Sequence, residues 1–450
     1  MIKKENIFTI KKIPFYLLIF LTAIIPLQAF LLTWLREILS LSNFEFSIVS
    51  LWKEYILILL MLIAGDRLFK EKNEGFNLLR LDKIIIIFFI LSIVYLIFFN
   101  LPLSQKLAGL RYDTEFLIFY FAVRFLNISI KEFKILVYTF LMVSLPVIIF
   151  GLLQISILPP EFMMQFGYSN DINVYFSQGV ISTYGAVNPL LPDVYRIQST
   201  LPGAIQFGSY LILVSSLFLC LSFYKKNIIK YICGLVFILS AWALYATNTR
   251  SAWIAFLAVL LLTIFYKIKN KKIFFGLAAC IIIVVAASVG LFLRNMDNLK
   301  LQRIILHGEV RDDGQLYGST QMHLEALNNN IEILKNRPFG SGIGFAGPAS
   351  KYGVSSVITE NWYLQIALEL GIFGLVIFIV VISYLVATLN KIYRIAKDNF
   401  QKYLSLGLLL ALVGLSINSL MLHTFSDTAT VYPLFIFIGM LITLNQKELT

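Results

Sequence analysis

Twelve long apolar runs dominate this sequence and leave it few folds to adopt. They cover residues 15–32, 46–64, 84–101, 114–127, 133–158, 204–224, 231–247, 252–266, 273–293, 362–389, 404–422 and 430–444. About 20 apolar residues in a helix cross the hydrocarbon core of a bilayer. With 59% hydrophobic and 14% charged residues, the chain carries far less charge than a soluble domain of its size. The run at 114–127 is short and contains Arg124, so eleven spans is the alternative count. The predicted fold is all-α: a polytopic membrane helix bundle of about twelve transmembrane helices, forming a single domain over residues 1–450.

Charge sets the orientation. Short loops rich in Lys and Arg stay cytoplasmic. With the basic N-terminal segment inside, twelve spans put the basic stretches at 66–83, 128–134, 224–230, 266–272 and 391–402 on that same side. Both termini are then cytoplasmic. The net charge of +12 is a topology signal, which speaks against a nucleic-acid partner. The first apolar run follows basic residues as a signal peptide would, but lacks a convincing small-x-small cleavage site, and is read as a retained anchor. Cys220, Cys233 and Cys280 all lie within apolar runs, where they suit small core residues rather than a disulfide or metal framework.

Two large excursions fall outside, at 159–202 and 294–360. The second holds seven basic and seven acidic residues and is no polybasic surface. Within it Leu324, Leu327, Ile331 and Leu334 recur at helical spacing. This predicts an amphipathic helix along the outer face, capped by Ser319 or Thr320 and ended by Pro338–Gly340. No repeat and no matched pair of interrupted helices appears, which weighs against inverted-repeat transporters.

Three arginines fall at outer helix ends: Arg111, Arg196 and Arg250. A guanidinium donates two parallel hydrogen bonds and keeps its charge, so convergence of these residues would suit a phosphate. Interfacial anchoring is the alternative, weakest for Arg250 because its turn is so short. Glu360, at the mouth of the run from 362, is either a general acid or base or a carboxylate favoured by the helix dipole. His307, His323 and His423 show no metal-ligand spacing, and no metal or cofactor is expected. The glycines around Gly342 permit a tight backbone path, against substrate or against the bundle. Tyr168, Tyr175, Tyr184, Trp362 and Tyr363 suit either sugar stacking or an interfacial aromatic belt. Few ionisable groups lie mid-membrane: only Lys53 and Arg124 are near a span, both within reach of an interface.

Four local patterns then combine: Gly109–Arg111, Arg196–Thr200, Asn248–Ser251, and a Pro-x-Gly-x-Gly element followed by Asn361, nine residues, Gly371, two residues and Gly374. With the topology, they make the chain resemble the O-antigen ligase and O-antigen polymerase superfamily. Glu360 stands where that family usually has His, and His323 where relatives often have Arg. The resemblance implies metal-independent, inverting glycosyl transfer on the outer face of the bacterial cytoplasmic membrane. The donor would be a glycan on undecaprenyl pyrophosphate, the acceptor a glycan or lipid-linked species, and a chain-length regulator is a possible partner. It implies Arg196, Arg250 and Glu360 as catalytic residues, with Arg111, Asn361, His323 and Gly342 contacting substrate. Polymerisation of lipid-linked repeat units is the leading expectation. Ligation of finished glycan comes second, and transport across the bilayer is a third reading of a different class.

Overall fold

The computed structural model describes residues 12–70, 78–126, 128–171, 180–183, 195–224, 228–268, 276, 294, 308–310, 316–353 and 357–449. The predicted run at 273–293 lies outside these residues, as do Cys280, His307, Tyr175 and Tyr184. α1 (Ile13–Ile24) and α2 (Gln28–Leu39) join through a 3-10 turn at Ile25–Leu27, and α3 (Asn43–Ser50) leads into α4 (Trp52–Lys70). Next come α5 (Arg80–Phe98), α6 (Leu103–Arg124) and α7 (Ile130–Ser156), then α8 (Ala204–Tyr224), α9 (Ile228–Ala246) and α10 (Arg250–Lys267). Antiparallel strands β1 (Gly308–Val310) and β2 (Leu316–Gly318) precede α11 (Ser319–Asn336). α12 (Trp362–Ile395), α13 (Asn399–Asn418), α14 (Thr428–Leu444) and α15 (Gln446–Leu449) follow.

Among the described residues nine helical segments are long and apolar enough to cross a membrane. α14 is apolar but shorter, at 17 residues. The short span expected at 114–127 is the second half of α6, which starts at Leu103 and spans 22 residues. The result is an all-helical polytopic membrane bundle.

Local chemistry sets the helix starts. Ser129 and Glu132 form a reciprocal capping box at α7, and Asp398 accepts the Gln401 N–H at the start of α13 (3.0 Å). α8, α13 and α14 form the buried centre. Small residues let these helices approach: a Cβ on Gly414 would lie 2.7 Å from Val259 and 2.8 Å from Ile212. Cys220 and Cys233 are buried, as core packing requires.

The segment after α7 is tied down by aromatic packing. Phe162, Phe166 and Tyr168 pack with Phe30 and Trp34 on α2 and Phe150 on α7. Tyr168 is thus a packing residue with 4% exposure. Trp362 is likewise enclosed by Phe116, Phe378 and Phe425 and belongs to the core rather than to an interfacial belt.

The expectation of few ionisable groups within the bundle is corrected. Asp82, Asp113, Glu115, Arg124 and Glu369 are all buried. Arg124 does not reach an interface: its Nη2 meets Asp82 Oδ2 at 2.9 Å and its Nη1 donates to Thr443 Oγ1 at 3.1 Å. Sequence alone could not show these pairings, because each joins side chains on different helices.

Candidate active site

α12 is broken near its start. Gly371 has φ 70° and ψ −178°, so residues 362–370 form a separate half-helix before the long apolar stretch. The loop after α11 fills the break. Ser341 N–H donates to Leu368 O (2.8 Å), Gly342 N–H to Glu369 O (3.0 Å), and Ile372 N–H to Pro338 O (3.0 Å). These bonds satisfy backbone groups that the interrupted helix would leave orphaned inside the membrane. The loop's glycines are there for packing. Gly342, at φ 103°, leaves a built Cβ 2.6 Å from Phe99, and Gly109 presses on the Gly344 backbone. The Gly109–Arg111 pattern and the glycine-rich pattern therefore meet in space.

Asn361 caps the half-helix: its Oδ1 accepts the Leu364 N–H at 3.0 Å, and its Nδ2 donates to Leu420 O at 2.9 Å. Glu360 sits one residue outside that cap. Its Oε2 contacts Nδ1 of His323 from α11. α11 forms where helical spacing predicted it, with Gly318 rather than Ser319 or Thr320 in the capping position. Asn330 Nδ2 pins it by donating to Ile358 O (2.9 Å). Its apolar residues Leu324, Leu327 and Ile331 face outward, as on a helix resting at a lipid boundary.

The arginines come from the neighbouring turn. Thr249 occupies the position before α10, placing Arg250 in its first turn. Asn248 takes a left-handed conformation (φ 49°) and donates to Tyr195 O at 3.2 Å. Arg196 closes over this turn, with Nε donating to Thr247 O (3.1 Å) and Nη2 to Thr249 Oγ1 (3.2 Å). The segment behind it is anchored deep in the bundle. Ser199 N–H donates to Gln154 Oε1 at 2.8 Å, and Thr200 Oγ1 to Pro26 O at 2.8 Å.

Arg196 and His323 both feel the charge of Arg250. Burial, then the adjacent Arg250, brings the Arg196 guanidinium down to about 10, which leaves it charged at neutral pH. Burial, then Arg250 again, lowers the His323 imidazole below its ordinary range, so it stays neutral at physiological pH. Two cations, a neutral imidazole and a carboxylate thus gather beside a helix N-terminus, a setting that favours an anion.

The remaining expected residues have other neighbours. Arg111 lies 3.5 Å from Glu54 and 3.9 Å from Glu115, with its guanidinium over Tyr112. Glu115 also receives the Tyr432 hydroxyl, and Lys53 pairs with Glu54 at 3.1 Å. Gly342 and Asn361 support the half-helix. Sequence reasoning missed Asp113 and Glu369; the available signal was an acid seven residues into the apolar run that starts at Trp362.

Fold and site together define a multi-pass helical membrane protein with a cationic site at a broken helix. Residues 235–379 match the family model described as O-Antigen ligase, a range that takes in Arg250, His323, Gly342, Glu360 and Asn361. A protein named O-antigen polymerase from Salmonella muenchen is 31% identical over 199 residues, covering 42% of this chain and 47% of that protein. The matched region thus spans about half the length of that relative. The two matches support the O-antigen ligase and polymerase superfamily, the family that the motifs resemble.

Proposed function

We propose that the protein polymerises oligosaccharide repeat units carried on undecaprenyl pyrophosphate, at the outer face of the bacterial cytoplasmic membrane. The observation that carries this reading is the gathering of Arg196 and Arg250 beside the His323–Glu360 pair. An acceptor hydroxyl attacks the anomeric carbon of the donor. The new glycosidic bond forms on one face as the bond to pyrophosphate breaks on the other. The polyprenyl pyrophosphate leaves with the bonding electrons. Negative charge grows on that leaving group, and Arg196 and Arg250 stabilise it where it develops. The acceptor proton passes to the His323–Glu360 pair; a positioned base of this kind contributes roughly 10²–10⁴-fold. No step calls for a metal. Arg111, Asn361 and Gly342 act in this scheme by supporting the site and the glycan path.

The description of the matched family model favours a second reading, ligation of finished glycan to lipid A-core or another acceptor. The glycan profile of a deletion strain separates the two. Core carrying a single repeat unit supports polymerisation. Bare core, with long polymer retained on undecaprenyl pyrophosphate, supports ligation. An unchanged profile excludes both.

A further inference from the structure

Glu369 lies two residues before the break in α12 and is fully buried. Its Oε2 accepts the Gly344 N–H at 3.0 Å and its Oε1 accepts the Ala346 N–H at 3.2 Å. On α6, Asp113 is equally buried, and its carboxyl lies within hydrogen-bonding reach of the Glu369 carboxyl. The Oδ1 atom of Asp113 accepts from Gln365 Nε2 at 3.0 Å. Two carboxyl groups share a hydrogen bond only when one of them carries a proton.

The donors around the pair show where that proton sits. Both oxygens of Glu369 already face backbone N–H groups, as a carboxylate requires. Asp113 Oδ2 is buried and has no conventional donor directed at it among the described residues. An O–H on that oxygen, donating to Glu369, completes the arrangement. We infer that Asp113 is held as the protonated acid and that Glu369, as the carboxylate, is a positioning residue locking the glycine loop into the broken helix. Through that loop it sets the distance between His323 and Glu360.

The path from lock to site is short. The loop starts where α11, carrying His323, ends at Asn336. It passes Gly344, whose carbonyl also accepts Gln105 Nε2–H from α6 at 2.9 Å. Gly347 N–H then donates to Val357 O (3.0 Å), three residues before Glu360. Releasing Gly344 and Ala346 would loosen both ends of the His323–Glu360 contact without removing any group from it. Uncharged Gln at position 369 presents an NH₂ to one of the two backbone donors. Asn at position 113 instead supplies an N–H in place of the acid O–H and keeps an oxygen for Gln365. The two isosteric changes should therefore differ sharply in effect.

The relevance to catalysis rests on the glycosyl-transfer reading; the lock itself does not. The test is amide hydrogen exchange over 340–347 in the full chain, reconstituted in lipid nanodiscs. Surface-glycan length is measured in parallel in a complemented deletion strain. Exchange in E369Q should be about tenfold or more faster than in the wild type, as expected for loss of a charge-assisted hydrogen bond. D113N should stay within about threefold of wild type, and D113A should exchange as fast as E369Q. E369Q should shorten the glycan and D113N should retain most of its length. Equal acceleration in D113N and E369Q overturns the proton assignment, and wild-type exchange in E369Q overturns the lock. If E369Q does not fold, the contrast between D113N and D113A decides the matter, and equal exchange in those two overturns the proposal. The expected exchange pattern in a protein whose loss leaves surface glycans unchanged would keep the lock and remove the transferase reading.

Discussion

Gly340 and Gly371 press against each other with no room for a side chain on either. A Cβ on Gly340 would lie 2.6 Å from both Glu369 O and Gly371 N, and one on Gly371 would lie 2.6 Å from the Phe339 carbonyl carbon. Gly371 also occupies a backbone region that is essentially restricted to glycine. Strain of this kind costs of order 1–3 kcal/mol, before the collision with Phe339 is added. Gly371→Ala should therefore lower the thermal midpoint in detergent by several degrees and reduce glycan length. Gly65, in the middle of α4 with open space around it, is the control. Its replacement by Ala should be neutral or slightly stabilising. Equal midpoints for the two variants would mean that the break tolerates a side chain.

Arg250 has a different kind of importance. It sits in the first turn of α10, and its charge reaches both Arg196 and His323. Arg250→Ala should abolish polymer formation, a loss of at least about 100-fold for removal of a leaving-group contact. Expression and membrane insertion should stay normal, because Arg196, Thr249 and Asn248 hold the turn. Wild-type chain length in this variant, read from a glycan gel, would exclude its pyrophosphate role. Arg196→Ala should lower polymer as well, but with some loss of stability. Its bonds to Thr247 and Thr249 clasp the turn.

Much of the helical fold was legible in the sequence. The membrane spans follow from apolar length and the amphipathic α11 from its period; of the three arginines expected to converge, Arg196 lies near Arg250 while Arg111 sits beside Glu54 and Glu115. The glycine spacing marked the segment where backbone packs closely, because such packing needs residues without side chains in fixed register. What stayed hidden was partnership across the chain. Nothing local to Glu369 reveals Asp113, which lies on another helix. Nor does the Gly109–Arg111 segment reveal that Glu54 and Glu115 flank its arginine. The two departures from the family pattern, Glu360 and His323, looked unrelated in sequence and touch in space.

That contact makes the site testable by titration. Burial and the Arg250 charge both lower the His323 pKa. A histidine depressed in this way binds its proton only at a pH below the ordinary range. The acid limb of the activity profile should therefore fall below about 6.5. Arg250→Ala removes a repulsive cation and should raise the His323 pKa. With three histidines in the sequence, histidine-selective NMR with a His323→Gln reference can assign the resonance. No upward shift in Arg250→Ala would mean the two groups are not neighbours. Within the same pair, Glu360→Gln should reduce activity far more than Glu360→His, which restores a titratable group. Equal activity of Glu360→Gln and wild type would remove the carboxylate from proton transfer.

At the opposite end of α6 the chain is held by a buried ion pair. Arg124 and Asp82 are 1% and 0% exposed, bonded at 2.9 Å and 3.3 Å, and Asp82 also accepts the Tyr120 hydroxyl at 2.7 Å and the Leu79 N–H at 2.9 Å. Arg124 reaches on to Thr443 on α14 and Gln446 on α15. Four helices therefore do not need apolar packing alone to stay in register; α5, α6, α14 and α15 share one polar knot. Removing either charge strands the other in a buried site, which typically costs about 3–5 kcal/mol. Asp82→Ala and Arg124→Ala should each lower the yield of monodisperse protein and its thermal midpoint. The double variant Asp82→Asn with Arg124→Met removes both charges and should be milder than Asp82→Ala, because no unpaired ion remains. Thermal unfolding in detergent across the three variants checks this. Strict additivity of the single losses would mean the two side chains do not depend on each other. Loss of activity with unchanged stability would move Arg124 from the scaffold into the glycan path.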